Sequence, residues 1–370
     1  MIKDTLIVIS GSSEQGGAEN QLCNLLERFD QFEIVLIFFS SNLNLGTFKK
    51  LKLNKKIVIL PITLSKPKFF LENITNVLSI ISNSKKKVKI LCWLAKGNLL
   101  GIFLGLIRFN KTKIFCSHRS YFNLNQSLKS RFLLFISLFI YRIYPKKITH
   151  IINSREIISS PIISFFLRSK PIYIANSFSY KKIFKSSETN KKKYKYLNLL
   201  VVARFSKEKG YEFLFKALNK TVVPFKIKCI GKGCTHKNKD FKELCEKYKI
   251  FPIAIEKSKN LRKEYRTCDF LVQSSYSESF PNVVVESILE GTLVISTPTG
   301  PFINILKKYN LLTSNYDFVE HAKTINNAYK LKENPLKYKK ISQDLRAEIQ
   351  SMINTPDECI KAYEKVLLDI

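Results

Sequence analysis

Acidic residues are scarce in this chain of 370 residues. It has 29 Asp and Glu against 62 Lys and Arg, so its formal net charge is +33. Such an excess predicts a polyanionic partner: a nucleic acid, an anionic membrane surface or a phosphorylated substrate. The deficit is sharpest between Glu33 and Glu156, where 22 Lys or Arg accompany a single acid, Glu72. A compositional bias toward lysine is the alternative explanation, but it does not account for the loss of acids from one stretch.

Other features are also missing. The 8 cysteines form no Cys-x-x-Cys pair and no Cys/His cluster at zinc spacing, so the sequence indicates neither a metal site nor a redox dithiol and favours a reduced, cytosolic protein. Residues 1–10 are too short for the apolar core of a signal peptide and have no cleavage site. The most apolar stretches, 99–109 and 132–144, fall short of the roughly 20 residues that span a bilayer. We therefore expect no transmembrane helix.

What is present is a folded α/β pattern. Hydrophobic residues make up 45% of the chain, and short β-branched or aromatic runs alternate with helical patterns. This alternation predicts β-α-β units with parallel sheets, in two doubly wound Rossmann-like domains that face each other across a ligand-binding cleft. We expect an N-terminal domain over 1–172, a linker over 173–196, a second domain over 197–350, and a C-terminal helix over 351–370 that could cross back to the first domain. The predicted strands are 5–10, 33–39, 57–60, 88–92, 197–203, 226–230, 270–273 and 293–296.

Two glutamates eight residues apart form the strongest local signal. Glu278 precedes Pro281, a residue suited to the first turn of a helix, and Glu286 then lies inside that helix. The backbone N–H groups of Phe280 and Asn282 would lie at the positive helix end, where they can bind a hydroxyl or phosphate oxygen. Without a ligand-binding role, Glu278 would be a plain helix-capping carboxylate and Glu286 a solvated residue of the helix.

Cations and glycines mark two further strand ends. Arg204 and Lys209 follow the predicted strand 197–203, and a planar guanidinium together with a compact ammonium suits a diphosphate. Near the N-terminus, Gly16 and Gly17 follow the first strand, and the next helix opens at about Ala18. Paired glycines at a helix start allow a ligand to approach the backbone closely. The spacing matches neither a dinucleotide fingerprint nor a P-loop.

Taken in order, these motifs closely resemble the family 4 glycosyltransferases of GT-B fold, over nearly the whole chain. The series comprises the glycine pair with Ala-Glu at 16–19, Arg-x4-Lys-Gly at 204–210, Ile-Gly-Lys-Gly at 230–233, Glu-x7-Glu at 278–286, and 291–297. Residues 151–154 and 172–176 look like the end of the first domain and the crossover segment. The resemblance implies a retaining, metal-independent transferase, of hexosyl or N-acetylhexosaminyl type, that uses a nucleotide-diphosphate sugar, most often a UDP-sugar. The sequence contains no Asp-x-Asp, in keeping with that expectation.

The resemblance also implies roles for individual residues. Arg204 and Lys209 would hold the donor diphosphate, and Glu286 would hold the ribose hydroxyls. Glu278 would act near the anomeric carbon of the transferred sugar, beside the segment Phe280-Pro281-Asn282. Gly16 and Gly17 would line the acceptor side and approach the diphosphate. No cofactor besides the nucleotide sugar is expected.

His118 and Arg119 are weaker candidates for the catalytic site. They follow the probable strand 113–116, in a region where many relatives place a His or Arg against the donor sugar. A structural role for a neutral histidine in a loop is the alternative. The sequence also departs from the family at Leu293, where proline is usual, at Ser279, where glycine is frequent, and at 299–304, which lacks the acid of a Gly-Pro-x-Glu loop. These departures leave donor selectivity open.

The acid-poor stretch lies in the domain that binds the acceptor in this family. A lipid-linked glycan acceptor on the cytoplasmic leaflet, in bacterial O-antigen or capsule assembly, would explain it. Lys85, Lys86, Lys87 and Lys89, together with residues 131–147, could lie on anionic lipid, and the enzyme would be peripheral on the inner face of the cytoplasmic membrane. For 131–147 the alternative is an ordinary buried helix. Alternative functions are a transferase with a soluble or protein acceptor and, more distantly, a basic nucleic-acid-binding protein, which would leave the glutamate and glycine motifs unexplained.

Overall fold

A computed structural model describes residues 4–14, 16–40, 44–53, 57–63, 65–84, 87–119, 128–158, 161–180 and 195–368. The chain divides into two compact units. The first comprises Met1–Ser177 with Asn354–Ile370, and the second comprises Phe178–Ile353. In the predicted linker 173–196, residues Ile174 and Ala175 are buried within the first unit, and 181–194 lie outside the described residues.

The first unit contains a seven-stranded parallel sheet in the order β3-β2-β1-β4-β5-β6-β7. Buried β-branched and aromatic runs form its central strands, as expected where helices cover both faces of a sheet, and the edge strands are more exposed. The strands are β1 Asp4–Ser10, β2 Phe32–Phe39, β3 Ile57–Ile62, β4 Val88–Trp93, β5 Thr112–His118, β6 Ile148–Ile152 and β7 Ile172–Tyr173.

Helices cover both faces of this sheet. They are α1 Gly17–Leu26, α2 Pro67–Asn83, α3 Leu94–Ile107, α4 Leu128–Ile143 and α5 Pro161–Phe166, and the C-terminal helix α13 Pro356–Leu368 also belongs to this unit. One core cluster joins α1 and α13 to the sheet through residues such as Leu22 and Tyr363. The other joins the inner sides of α2 to α5 through residues such as Val77, Ile102 and Leu138.

The second unit contains a five-stranded parallel sheet in the order β10-β9-β8-β11-β12. Its strands are β8 Leu197–Val202, β9 Phe225–Ile230, β10 Ile253–Ile255, β11 Phe270–Gln273 and β12 Leu293–Ser296. Its helices are α6 Tyr211–Leu218, α7 Lys239–Tyr248, α8 Leu261–Thr267, α9 Asn282–Leu289, α10 Ile303–Lys308, α11 Phe318–Lys332 and α12 Pro335–Gln350.

Both sheets confirm the predicted doubly wound α/β class, and the ends of each strand predicted from the sequence lie within two residues of the observed ends. The sequence pattern did not reveal the short edge strands β7 and β10, because two or three residues carry too little periodicity. Among the described residues, no helix is both long enough and apolar enough to cross a membrane.

Candidate active site

In the second unit, the loops after β8 and β11 bring one predicted cation and one predicted carboxylate together. β8 and β11 are neighbouring parallel strands, so their carboxyl ends open at the same edge of the sheet. Lys209 Nζ lies 2.5 Å from Glu278 Oε1, and the Ser275 hydroxyl donates to the same oxygen at 2.8 Å. Both charged side chains keep about a fifth of their surface exposed, at 20% and 17%. A ligand can therefore reach this pair from solvent.

The two loops are fastened to each other through the backbone. The Tyr276 amide donates to the Glu208 carbonyl at 2.9 Å, and the Ser274 hydroxyl donates to the Lys209 carbonyl at 2.9 Å. Gly210 has φ +66°, and a Cβ atom there would lie 2.0 Å from the Ser274 carbonyl oxygen. Only glycine fits this approach, so the Lys-Gly of the sequence motif has a packing explanation.

Arg204 lies on the same β8 loop but contacts a different carboxylate. Its Nη2 is 2.5 Å and its Nε 3.2 Å from Oε1 of Glu208, four residues on. Burial alone would raise the pKa of Glu208, but the hydrogen bond and charge of Arg204 outweigh it and lower that pKa. The pair is largely exposed, at 60% and 46%, and such pairs are worth about 1 kcal/mol or less. A diphosphate can therefore replace Glu208 at little cost.

The predicted helix start near Pro281 is confirmed. Pro281 is the N-cap of α9, which begins at Asn282, and no side chain caps it. Upstream, the Glu278 amide donates to the Thr299 hydroxyl at 2.8 Å, which fixes the loop before the helix. The Phe280 ring is buried against Phe178 and Phe302, with centroids 6.2 and 5.3 Å away. The ring anchors the segment, and the ligand role of 280–282 stays a prediction.

Glu286 lies one turn inside α9 and is partly buried. The Tyr265 hydroxyl donates to its Oε2 at 2.8 Å. Burial raises the pKa of the Glu286 carboxyl, and the Tyr265 hydrogen bond and the Arg262 charge offset part of that increase. A carboxylate held by one hydrogen bond in a partly desolvated setting is suited to accepting hydrogen bonds from hydroxyl groups.

In the first unit, Gly16 and Gly17 lie where β1 passes into α1. Gly16 is the N-cap in an extended conformation, and Gly17 is the first helical residue. A Cβ atom at Gly16 would lie 2.5 Å from Glu19 Oε2, because the carboxylate of the first turn folds back over the glycine. The Trp93 indole donates to the Ala18 carbonyl at 3.0 Å and fixes this turn against β4. Local packing thus requires little bulk at Gly16, and the ligand role of this pair stays a prediction.

His118 is buried at the carboxyl end of β5, with only 4% of its surface exposed. Its Nε2 lies 3.1 Å from His150 Nδ1, and its ring meets Tyr141 edge-on. Burial, followed by the charges of His150 and Arg119, holds the pKa of His118 well below its ordinary value, so the imidazole is neutral. These contacts describe a core histidine, and its catalytic role stays a prediction.

Arg119 is also buried, and it fastens three parts of the first unit together. Its Nε donates to Ser117 Oγ at 2.9 Å, its Nη1 to Asn176 Oδ1 at 2.8 Å, and its Nη2 to the Tyr363 hydroxyl. The guanidinium also lies 4.0 Å from the centre of the Trp93 ring. Burial lowers the pKa of Arg119 to about 10, so it stays charged at neutral pH. Arg119 thereby links β5 to the crossover segment and to α13, and its place in the active site stays a prediction.

Sequence reasoning missed several partners of the predicted site residues. The Ser275 hydroxyl donates to Glu278, and the Tyr265 hydroxyl donates to Glu286. The Thr297 hydroxyl donates to the Ser275 carbonyl at 2.6 Å, and the Thr299 hydroxyl accepts from the Glu278 amide. For Thr299 the sequence held one signal: the residue lies in 299–304, the segment that resembles a Gly-Pro-x-Glu loop without its acid. In the part of the chain that the structure describes, no group of three or more His, Cys, Asp or Glu side chains could hold a metal ion, and all 8 cysteines are free and buried.

Comparison with known proteins gives one family match and many structural matches. Residues 180–345 match the family model "Glycosyl transferases group 1". The uncharacterized glycosyltransferase MJ1607 of Methanocaldococcus jannaschii is 26% identical over 113 residues, which is 30% of this chain and 29% of that relative. The match thus spans less than a third of the relative's length.

Solved structures match over the whole chain. Anabaena Alr3699/HepE in complex with UDP-glucose superposes with a TM-score of 0.77 at 16% identity, covering 99% of this chain and 100% of that one. The fold is GT-B. A Rickettsia africae glycosyltransferase (TM-score 0.72, 16% identity, 99% and 98% covered) and the lipopolysaccharide outer core galactosyltransferase WaaB in its apo form (0.68, 15%, 99% and 99%) are further neighbours. The family match and the fold together support a GT-B glycosyltransferase.

Proposed function

We propose that this protein is a retaining glycosyltransferase that moves a hexosyl or N-acetylhexosaminyl group from a UDP-sugar to a lipid-linked glycan, without a metal ion, in bacterial O-antigen or capsule assembly. The contact between Lys209 and Glu278 carries the proposal. A cation able to neutralise a diphosphate and a carboxylate able to accept from a sugar hydroxyl meet there, at the carboxyl ends of two neighbouring strands, which supports the proposal. Ligands bind at this edge in open α/β sheets.

The chemistry follows from these positions. Departure of the nucleoside diphosphate leaves negative charge on the phosphates and a cation-like sugar, so the site must neutralise the first and orient the second. Lys209 and Arg204 exchange their carboxylate partners for diphosphate oxygens. Glu278, released from Lys209, accepts from the hydroxyls of the transferred sugar, while Glu286 accepts from the ribose hydroxyls. The backbone of 280–282 adds N–H donors at the start of α9.

The choice of nucleotide and acceptor draws on structural neighbours. HepE has been solved with UDP and with UDP-glucose, and a Burkholderia vietnamiensis neighbour is a UDP-forming trehalose-phosphate synthase. WaaB, by its name, acts on the lipopolysaccharide outer core. The acid-poor stretch between Glu33 and Glu156 supports an acceptor held at an anionic membrane on its cytoplasmic side, where the enzyme would be peripheral.

A binding screen tests the donor half of the proposal. Uridine, guanosine and adenosine diphosphate sugars are compared by thermal shift, where a ligand at 100 times its Kd adds about 2.7 kcal/mol. We expect the UDP-sugars to stabilise the protein and Lys209→Ala to abolish the shift. The matched control is Lys239→Ala, because Lys239 is an exposed lysine that is also paired with a glutamate, at 3.7 Å. An equal loss in both variants, or no shift with any sugar nucleotide, contradicts the proposal.

A transfer assay tests the acceptor half. Labelled sugar should move to a lipid-diphosphate-linked glycan and leave UDP behind. Equal transfer to the same glycan without its lipid favours a transferase with a soluble or protein acceptor. Inversion at the anomeric carbon, read by NMR of the product, contradicts the retaining mechanism.

A further inference from the structure

Helix α4 exposes an apolar face. Phe132, Phe135, Phe139 and Ile143 are 66%, 44%, 61% and 50% exposed, and their spacing of three, four and four residues puts them on one side of the helix. Leu138 is buried on a neighbouring side of the helix, in the core against the sheet. A helix that packs its inner side in the core normally turns polar residues outward. The outward phenylalanines of α4 therefore require an explanation.

The apolar surface continues onto the helices beside α4. Helices α3, α4 and α5 follow β4, β5 and β6 in order across the sheet, and right-handed crossovers place all three on the same side. Their inner side chains share one core cluster. Phe103 of α3 is 59% exposed and Phe165 of α5 is 60% exposed. The Arg142 guanidinium lies 4.4 Å from the Phe165 ring and ties α4 to α5. We name as the aromatic face the side chains of Phe103, Phe132, Phe135, Phe139, Ile143 and Phe165.

Cations gather at one end of these helices, where α3 and α4 finish and β4 and β5 begin. Arg108 Nε and Lys111 Nζ both donate to Ser82, at 2.8 Å to its hydroxyl and 2.5 Å to its carbonyl. The pKa of Lys147 is lowered by burial and also by the nearby charge of Lys87, so these ammonium groups repel each other. We name Lys87, Arg108, Lys111 and Lys147 the cationic rim. Of the other predicted lipid-contacting lysines, Lys89 pairs with Asp4 and Lys85 and Lys86 lie outside the described residues.

The sequence supplies no local carboxylate to this rim. Residues 73–155 contain fifteen Lys or Arg and no Asp or Glu. By contrast, two exposed lysines of the second unit have carboxylate partners close by: Lys247 pairs with Glu212 at 3.0 Å and Lys308 with Glu348 at 2.7 Å. The rim is thus complementary to an anionic surface, and the aromatic face beside it is complementary to an apolar one.

We propose that the aromatic face inserts into the headgroup and upper acyl region of an anionic lipid bilayer while the cationic rim lies on lipid phosphates. A bilayer offers both properties in one plane, and aromatic side chains flanked by Lys and Arg are typical of interfacial helices. This membrane contact would bring the active site to a lipid-linked acceptor, and only that purpose rests on the proposed function. The binding itself requires no catalysis.

Vesicle flotation of the whole chain tests the inference. One set of vesicles is phosphatidylcholine alone, and the other contains phosphatidylglycerol as well. We expect the protein to float with the anionic vesicles only, and the triple variant F132S/F135S/F139S to reduce its partition coefficient at least about tenfold, because several exposed apolar side chains are lost. The matched control is V222S/F251S/L336S, which removes three side chains exposed by 85%, 70% and 82% from the second unit. It should float like the wild type.

Three results would overturn the proposal: no flotation of the wild type with anionic vesicles, equal flotation with neutral ones, and equal loss in the control variant. A fourth is a wild-type dimer that F132S/F135S/F139S converts to monomer, because a second copy would then cover the aromatic face. Nucleotide binding separates this proposal from the previous one. The variant F132S/F135S/F139S should keep the thermal shift with UDP-sugar. If the wild type floats with anionic vesicles but binds no sugar nucleotide, the membrane-binding proposal stands and the proposed enzymatic function is wrong.

Discussion

Replacement of Glu278 by glutamine should change nucleotide binding and sugar transfer in opposite directions. The Glu278 carboxylate pairs with the Lys209 ammonium at 2.5 Å. A diphosphate must displace that carboxylate before it can use the lysine. Glutamine keeps the shape and the hydrogen bond from Ser275 but removes the competing charge. UDP should therefore bind more tightly to Glu278→Gln than to the wild type.

The size of the effect follows from the exposure of the pair. Two unit charges in contact attract by several kcal/mol at an effective dielectric constant of about 20, but most of this is cancelled by lost hydration. The side chains keep 20% and 17% of their surface, so we take a net value of about 1 kcal/mol, near the upper end for exposed pairs. UDP affinity should then rise about fivefold. Sugar transfer should fall about 100-fold, because a group that stabilises the transition state is lost.

Calorimetric titration with UDP and with uridine measures the first effect, and initial rates of UDP release measure the second. Lys209→Met should weaken UDP binding at least about tenfold and leave uridine binding unchanged, since only the phosphates need the charge. Glu348→Gln is the control, because it removes a carboxylate from a 2.7 Å lysine pair on α10 and α12 without touching the site. If Glu278→Gln weakens UDP binding as Lys209→Met does, the carboxylate holds the loop in place and our reasoning is refuted.

Three further predictions concern stability and the ribose. Gly210→Ala should cost at least about 2 kcal/mol and lower the melting temperature, because its Cβ would meet the Ser274 carbonyl at φ +66°; an unchanged melting temperature would contradict this. Burial raises the pKa of Glu286, so the free energy of unfolding falls as pH rises through that pKa. Glu286→Gln should therefore be at least as stable as the wild type at pH 7. In titrations the same variant should lose the preference for UDP over 2′-deoxy-UDP. Burial lowers the pKa of His150 and of His321 from 6.5 to about 4. The free energy of unfolding should therefore be highest above pH 6.5 and should fall by roughly 3 kcal/mol for each histidine as the pH drops to 4. Urea unfolding at both pH values should show this loss, and His321→Asn should reduce it.

The fold was predictable because its signals are local. Most strands are short buried runs, and strand ends in parallel sheets open at one edge, so the loops that carry Lys209 and Glu278 were expected at the same edge of the second sheet; the ion pair between the two side chains was not predicted. The partner of Arg204 did not follow. Nothing in the spacing says that Glu208, rather than a carboxylate from the β11 loop, takes the guanidinium, because the choice depends on side-chain directions in a turn.

The contacts of Arg119 and the environment of α4 were also beyond the sequence. Arg119 meets Tyr363 of the C-terminal helix, and no local pattern encodes a contact between residues so far apart. Residues 131–147 are apolar on more than one side, so periodicity could not decide between a buried helix and a lipid-facing one. The structure gives the helix one buried and one exposed side: Leu138 is in the core, and Phe139 beside it in sequence is 61% exposed.

The position of the carboxylates, rather than of the far more numerous cations, decides where this protein can bind anions. In the candidate site Arg204 and Lys209 already have carboxylate partners, so under the proposed function a diphosphate would bind by exchange, and its affinity would be the gain from its own ion pairs less the loss of the existing ones. Such an exchange would also make product release easier. The cationic rim lies in a stretch without acids, and an anion there competes with neutral acceptors such as the hydroxyl and the carbonyl of Ser82, which bind Arg108 and Lys111. Its binding should therefore depend on salt more steeply than that of UDP, because screening acts on a cluster of four cations whose own segment holds no carboxylate.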